Sequence, residues 1–328
     1  MLVEITELYG NVLGLPTGGR EGVSQWHSVS EQGATGMSGE QSVVVTGVST
    51  GIGWGSCKVL LAKGFTVFGS VRRKVDADRL QSEFGDAFIP LIMDVTDKQA
   101  VEQAAARVSA GLGSATLTGL VNNAGVAVPG PLLHLPLEEY RRQLEVNLVA
   151  QLSVTQAFAP ILGADTKRKG QPGRIVNISS TAGKIGLPFL GAYVASKHAL
   201  EGMSESLRRE LMVYGIDVIV IVPGSVVTAI WDKGEAEDLS MYQGTDYAGT
   251  VERFRRFMIS EGRNGLSPDR LGQTVYTALT ARYPKTSYTA IPQRLKNWSL
   301  PLSLPKRLVD KMIAKQLSLT LVRANTRP

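Results

Sequence analysis

Tyr193 and Lys197 stand four residues apart, a spacing that on a helix sets them one turn apart on one face. Ser180 lies 13 residues before the tyrosine. A phenol ordinarily titrates at about pH 10. A fixed ammonium beside it favours the phenolate and lowers that value. Such a tyrosine can trade a proton with an alcohol or ketone oxygen near neutral pH. A hydroxyl such as Ser180 can hold the reacting oxygen and stabilise charge developing on it. Ser179 offers the same group one residue earlier. Tyr-x-x-x-Lys also arises by chance on helix surfaces, so its weight comes from the elements around it.

Those elements alternate in type. Val43-Val44-Val45 is a β-branched run, as expected of a strand buried on both faces. It feeds Thr46-Gly47-Val48-Ser49-Thr50-Gly51-Ile52-Gly53 and then a helix to about Lys63. Strand, glycine turn and helix make a phosphate-binding start. Glycines let the backbone approach a pyrophosphate, and the helix N-terminus supplies N–H groups. Further strands are expected at Phe65–Val71, Phe88–Met93, Leu117–Val121, Arg174–Ser179 and Ile216–Val222. Helices are expected over 76–84, 97–110, 137–162 and from Tyr193 to about Tyr214. The alternation predicts an α/β fold, a doubly wound parallel sheet of Rossmann type. Ligands of such sheets bind beyond the carboxyl ends of the strands. Asp94-Val95, Asn122–Gly125, Ser180 and Pro223-Gly224 all fall at such ends.

Composition narrows the function. One cysteine, Cys57, excludes an internal disulfide and a cysteine-based metal site. His27, His134 and His198 show no metal-ligand spacing, so no metal is expected. No continuous apolar run reaches the roughly 18 residues that span a bilayer. The net charge of +6 is uneven: residues 1–40 carry −4 and residues 282–328 carry +9. A basic balance can signal nucleic acid, but the core is nearly neutral and nucleic-acid binding is not expected. Residues 1–40 lack the basic start and apolar run of a secretory signal and read as a flexible tail. The chain thus divides into that tail, a catalytic domain over 41–281 and a basic extension over 282–328. A cytoplasmic or otherwise soluble intracellular location is expected.

Taken together, these motifs resemble the short-chain dehydrogenase/reductase family over about residues 41–230. The turn matches at Thr46–Gly53, the N-N-A-G element at Asn122–Gly125 and the P-G-x-V-x-T element at Pro223–Thr228. The Ser, Tyr and Lys match at Ser180, Tyr193 and Lys197, and the family's helix Asn at Asn147. One departure is Lys167–Gly173, which reads as an inserted surface loop. The resemblance implies a proton donor and acceptor in Tyr193, a lysine that lowers its pKa and holds the nicotinamide ribose, and a substrate-binding Ser180. It implies that Asn147 positions Lys197 through a water. Gly47, Ser49, Gly51, Ile52 and Gly53 would take the pyrophosphate, and Asp94 and Val95 the adenine. Asn123, Ala124 and Gly125 would back the adenosine ribose, Val226 and Thr228 would hold the carboxamide, and Pro223 and Gly224 would also bind the cofactor. The helices around 137–162 and 193–214 resemble the family's dimer pair, so a homodimer or homotetramer is expected.

The expected activity is oxidoreduction between an alcohol and a ketone or aldehyde, and the alternative is a cofactor-binding sensor or scaffold without catalysis. Strand two ends in Arg72-Arg73 with no acid before Asp76. An acid there binds a ribose 2′-OH, whereas Arg accommodates a 2′-phosphate, so NADP(H) is expected over NAD(H). Ile185, Leu187, Pro188, Phe189 and Trp231 could wall an apolar pocket for a lipophilic small-molecule substrate, or could be ordinary packing. Leu308, Val309, Met312, Ile313 and Leu317 recur at helical spacing after Pro305, with Arg307, Lys311 and Lys315 on another face. That helix is expected to pack on the domain; the alternative is peripheral membrane contact through 305–317.

Overall fold

The structure, a computed structural model, describes residues 41–228, 230–236, 238–292, 298 and 300–319. The tail expected over 1–40 lies outside the described residues, as do parts of the extension (293–297, 299 and 320–328).

Seven parallel strands form one sheet in the order β3-β2-β1-β4-β5-β6-β7. They are β1 (Ser42–Val45), β2 (Thr66–Val71), β3 (Phe88–Ile92), β4 (Gly119–Asn122), β5 (Arg174–Ile178), β6 (Asp217–Pro223) and β7 (Ser287–Ala290). The order reverses between β1 and β4, so the crevice that receives ligands opens at their ends. The valine run of β1 shows why the sheet sits centrally. Val43 and Val45 enter one apolar cluster and Val44 the cluster on the other face, and all three are fully buried. Each such valine stabilises the fold by about 1.5–3 kcal/mol.

Helices cover both faces: α1 (Gly51–Ala62), α2 (Lys74–Phe84), α3 (Lys98–Leu112), α4 (Leu137–Ala164), α5 (Gly191–Glu210), α6 (Ile230–Glu235), α7 (Ala248–Arg263), α8 (Pro268–Thr280) and α9 (Lys306–Leu317). Local chemistry starts several of them. Asp97 caps α3 by accepting from Ala100 N at 3.1 Å. Ser267 caps α8 in the same way, with Pro268 in its first turn.

Three sequence expectations need correction. β7 was not foreseen, and as the seventh strand it carries the sheet past the expected domain end at 281. Its four residues lack the apolar run that marked the others; pairing with β6 makes it a strand. The helix over 137–164 is not uniform, because π-turns interrupt it at Glu145–Val149 and Pro160–Ala164. By length and composition this helix also passes the test for a membrane span. Its apolar side (Val154, Phe158, Ile161 and Leu162) is instead buried in the core, and the polar residues between broke the apolar run.

The inserted loop 167–173 is pinned to the α3–β4 connection. Arg168 Nη1 donates to Ala115 O at 2.8 Å, and Thr116 Oγ1 to Gln171 O at 2.8 Å. It meets the sheet at the start of β4, the edge opposite the motif-bearing ends.

Candidate active site

The glycine turn is held by β4. Thr46 Oγ1 accepts from Asn123 N at 2.9 Å and Ala124 N at 3.0 Å. Asn123 Nδ2 donates to Thr46 O and Gly47 O at 2.8 and 3.0 Å. Gly47 and Gly51 take φ of +69° and +65°, in the left-handed region. A Cβ on Gly53 would fall 2.4 Å from Gly47 O, so only glycine fits there. Ser49 O accepts from Arg79 Nη2 at 2.7 Å, and Ile52 packs against the core. The N-terminus of α1 carries no side-chain cap and no acid in its first turn. Its N–H donors thus have no carboxylate competitor, which fits a pyrophosphate.

The loop after β6 closes over this turn. Thr228 Cγ2 stands 3.0 Å from where a Cβ of Gly51 would be. Gly224 N donates to Ala290 O at 2.9 Å, and Val226 is buried with its carbonyl accepting from Trp231 Nε1 at 2.6 Å. Trp231 therefore does not belong with the expected pocket wall. Its ring lies where a Cβ of Gly262 on α7 would be.

At the end of β3, Val95 is buried. Asp94 accepts from Thr96 N at 3.0 Å and Thr96 Oγ1 at 2.7 Å. Burial pushes the Asp94 carboxyl up, but those bonds and the nearby Arg72 charge together hold it below the usual carboxylate range. The two arginines after β2 differ. Arg73 forks onto Asp76 at 2.7 and 3.0 Å, so it is engaged within α2's own start. Arg72 is exposed.

Ser180, Tyr193 and Lys197 come together at the end of β5. Ser180 caps the turn Thr181–Gly183, accepting from Ala182 N at 3.1 Å, and its side chain lies close enough to the Tyr193 hydroxyl to favour the phenolate. Lys197 is buried on α5 and donates to Ile178 O at 2.8 Å. Its ammonium lies 5.8 Å from the centre of the Tyr193 ring. The expected lowering of the phenol is not present in the chain alone. Burial pushes the Tyr193 phenol above its ordinary value, and Ser180 opposes only part of that. Burial also brings the Lys197 ammonium down to about 8, with Glu201 acting the other way.

Asn147 sits fully buried in the first π-turn of α4. Its amide is taken up by Val126 N and Val126 O, both at 2.8 Å, and by Ser196 Oγ at 3.0 Å. Its side chain therefore ties three segments together one residue away from Lys197. Gly125 lies against it, with Asn147 Oδ1 3.1 Å from the position of a Cβ.

Sequence reasoning missed two sets of residues. One is a buried polar row beneath the site: Asn122 Nδ2 donates to Asn177 Oδ1 at 2.9 Å, and Asn177 Nδ2 to Ser204 Oγ at 2.9 Å. An Asn inside the apolar run Ile175-Val176-Asn177-Ile178 was its signal. The other is part of the cover over the Tyr193 side: Leu190, Tyr242, Val251 and Phe254 join the expected Phe189 and Leu317 in an apolar cluster onto which Tyr193 and Leu187 pack. Phe189 lies edge-on to Tyr247 and Phe254, with centroids 5.9 and 5.5 Å away. Val251, Phe254 and Met258, at helical spacing, were the available signal. Beside this cluster a cavity of about 240 Å³ is lined by Val128, Pro129, Leu135, Leu239, Met241 and Tyr242, and by the charged Glu139, Arg142 and Asp238.

Comparison with known proteins agrees with this geometry. A family model described as short chain dehydrogenase matches residues 41–238. An NADPH-dependent 3-dehydrocapnine reductase from Ornithobacterium rhinotracheale is 40% identical over 84% of this chain and 96% of its own. Retinol dehydrogenase 16 from Mus musculus is 31% identical, covering 84% of this chain and 88% of its own. Among solved structures, a short-chain dehydrogenase from Streptomyces avermitilis superposes with a TM-score of 0.68 at 25% identity, covering 86% of this chain and 98% of its own.

Proposed function

The chain belongs to the short-chain dehydrogenase family and is an NAD(P)-dependent oxidoreductase; from that premise we propose that it interconverts a lipophilic secondary alcohol and ketone, or a primary alcohol and aldehyde, with NADP(H) preferred. The observation that carries this reading is Lys197 one turn along the helix from Tyr193, its ammonium 5.8 Å from the ring centre, with Ser180 beside them at the end of β5. When bound, the nicotinamide ring carries the hydride that no side chain supplies, and its oxidised form adds positive charge beside the phenol. Tyr193 gives its hydroxyl proton to the substrate oxygen in reduction and takes it back in oxidation. Ser180 holds that oxygen and stabilises its developing charge. Lys197, anchored on Ile178 O with its ammonium 5.8 Å from the Tyr193 ring centre, supplies positive charge for the phenolate that forms in turnover. Asn147 keeps the α4 turn, the loop at Val126 and α5 in register around Lys197.

Gly47–Gly53 and the start of α1 hold the pyrophosphate, Asp94 and Val95 the adenine, and Val226 and Thr228 the carboxamide end. Arg72 meets a ribose 2′-phosphate, since Arg73 is engaged by Asp76. The NADPH dependence in the name of the Ornithobacterium relative supports the same preference. A lipophilic substrate is supported by the apolar cluster around Tyr193 and by the retinol named for the mouse relative. The alternative, a cofactor-binding protein without catalysis, leaves the Ser180–Tyr193–Lys197 set without a purpose. The test is purified protein with NADPH and a panel of lipophilic ketones and aldehydes: the proposal fails if none is reduced while NADPH binds.

A second reading concerns where the enzyme meets that substrate. The end of α9 is packed: Leu317 is buried in the apolar cluster, and Arg253 Nε donates to Leu317 O at 3.1 Å. Leu308 and Met312 stay exposed, 45% and 54%, beside the exposed Arg307, Lys311 and Lys315. An apolar row next to a cationic row supports peripheral contact with an anionic membrane. Vesicles containing phosphatidylserine should pellet the protein at low salt, and Leu308→Ser with Met312→Ser should abolish this. Equal pelleting of that variant refutes the contact.

A further inference from the structure

Glu201 lies one turn beyond Lys197 on α5, and its side chain is only 12% exposed. One carboxylate oxygen pairs with Lys184 Nζ at 3.1 Å. The other, Oε1, is buried without a hydrogen-bond partner among the described residues. A second such atom is Ser179 Oγ, on a residue 2% exposed. Ser179 and the Glu201 stem flank Gly183, where a Cβ would stand 2.7 Å from Ser179 Oγ, 3.1 Å from the Lys197 main-chain O and 3.2 Å from Glu201 Cγ. A carboxylate held with one oxygen unpaired, one helical turn from a buried ammonium, is costly unless the charge has a use. Outside it, a groove of about 500 Å³ is lined by Lys184, His198, Glu205, Arg208 and Thr286.

We propose that Glu201 is a positioning residue for Lys197: its carboxylate, shared with Lys184 at the surface, keeps the buried ammonium charged and so sets the pH range in which the site works. This rests on the reading of Lys197 given above. The sign of each contribution follows from charge alone. Burial disfavours the lysine's charged form, and a nearby carboxylate restores it. Lys184 neutralises part of that carboxylate's field, so removing Lys184 strengthens its hold on Lys197. The titratable and charged groups facing Glu201 are Lys197, His198, Glu205 and Arg208 on α5 and Lys184 from the turn after β5. Thr286 and Ser287, beside them, do not titrate at working pH. A packing role for Glu201 predicts no such opposition between the two variants.

The experiment is a titration of Lys197 by NMR in the full-length protein carrying ¹³Cε-labelled lysine, assigned with Lys197→Met. Glu201→Gln should lower the Lys197 midpoint by about half a pH unit or more. Lys184→Met, a surface change that leaves the fold intact, should raise it. Glu205→Gln is the control and should move it by less than about 0.2 unit, because Glu205 is already paired with Arg209. The alkaline limb of kcat/KM for ketone reduction should follow the same order. A Glu201→Gln midpoint unchanged from wild type, or a downward shift in Lys184→Met, overturns the proposal. If Glu201→Gln does not fold, Glu201→Met, which fills the space without a charge, should lower the Lys197 midpoint in the same way, and an unchanged midpoint there overturns the proposal equally. The NMR titration needs no substrate, so a chain that reduced no ketone would refute the function proposed above without touching this result.

Discussion

Asn147→Ala separates the structural from the chemical contribution of that residue. The amide makes three buried hydrogen bonds, to Val126 N, Val126 O and Ser196 Oγ. A typical internal hydrogen bond contributes about 0.5–1.5 kcal/mol, and a partner left unsatisfied costs about 1–3 kcal/mol. Ser196 Oγ keeps its bond to Tyr193 O at 2.7 Å, so the main orphans are the two Val126 groups. Val126 is only half-buried, and water can reach part of what is exposed. The balance is a loss of about 2–4 kcal/mol. For a body of this size that corresponds to a fall in Tm of roughly 3–7 °C. Asn147→Asp keeps the volume and the acceptor for Val126 N but loses both donors and buries a charge, so it should be no milder than Ala. Urea denaturation with cofactor absent reads the stability, and kcat with saturating NADPH reads the site. A stability loss below about 0.5 kcal/mol with activity abolished would refute the tying role and make Asn147 a directly acting group.

Tyr193→Phe should lower kcat by about a hundredfold or more while NADPH binding by fluorescence persists, because the proton donor alone is removed. Gly53→Ala should weaken NADPH binding and stability together, since the added Cβ meets Gly47 O at 2.4 Å and Asn123 Nδ2 at 2.6 Å; unchanged binding would contradict the tight turn. Arg72→Glu should cut kcat/KM with NADPH by about tenfold or more and spare NADH, and equal losses with both would remove Arg72 from the 2′-phosphate. Lys197 titrates at about 8 in the fold against 10.5 for an unburied lysine, so between those values the unfolded chain binds more protons and stability should climb with pH. That climb, about 3 kcal/mol, should be missing from Lys197→Met in denaturation curves. Light scattering at micromolar concentration should give a dimer or larger, the exposed Met212, Val213 and Tyr214 after α5 marking one face such a contact could cover.

Much of this protein was legible because its signals are local. The valine run of β1, the glycines of the turn and the four-residue spacing of Tyr193 and Lys197 each follow from backbone geometry within a few residues. The parallel order then put every motif at one edge without further information, since each follows the carboxyl end of its strand. Other features depended on what lies across space. β7 is a strand because β6 offers it a ladder, not because Ser287–Ala290 reads as one. Arg72 and Arg73 look alike in the chain, and only Asp76 turning back onto Arg73 tells them apart. For Trp231 the sequence leaves pocket wall and ordinary packing open, and the seat that Gly262 gives its ring decides for packing. The phenol's proton affinity also belongs to the fold, because spacing places a lysine nearby but burial decides which charges survive. Sequence by itself determined the chemistry available at the strand ends. Tertiary structure decided how strongly each group holds its proton, because desolvation and distant partners, such as Ile178 O under Lys197 and Lys184 on Glu201, come from segments no local spacing predicts.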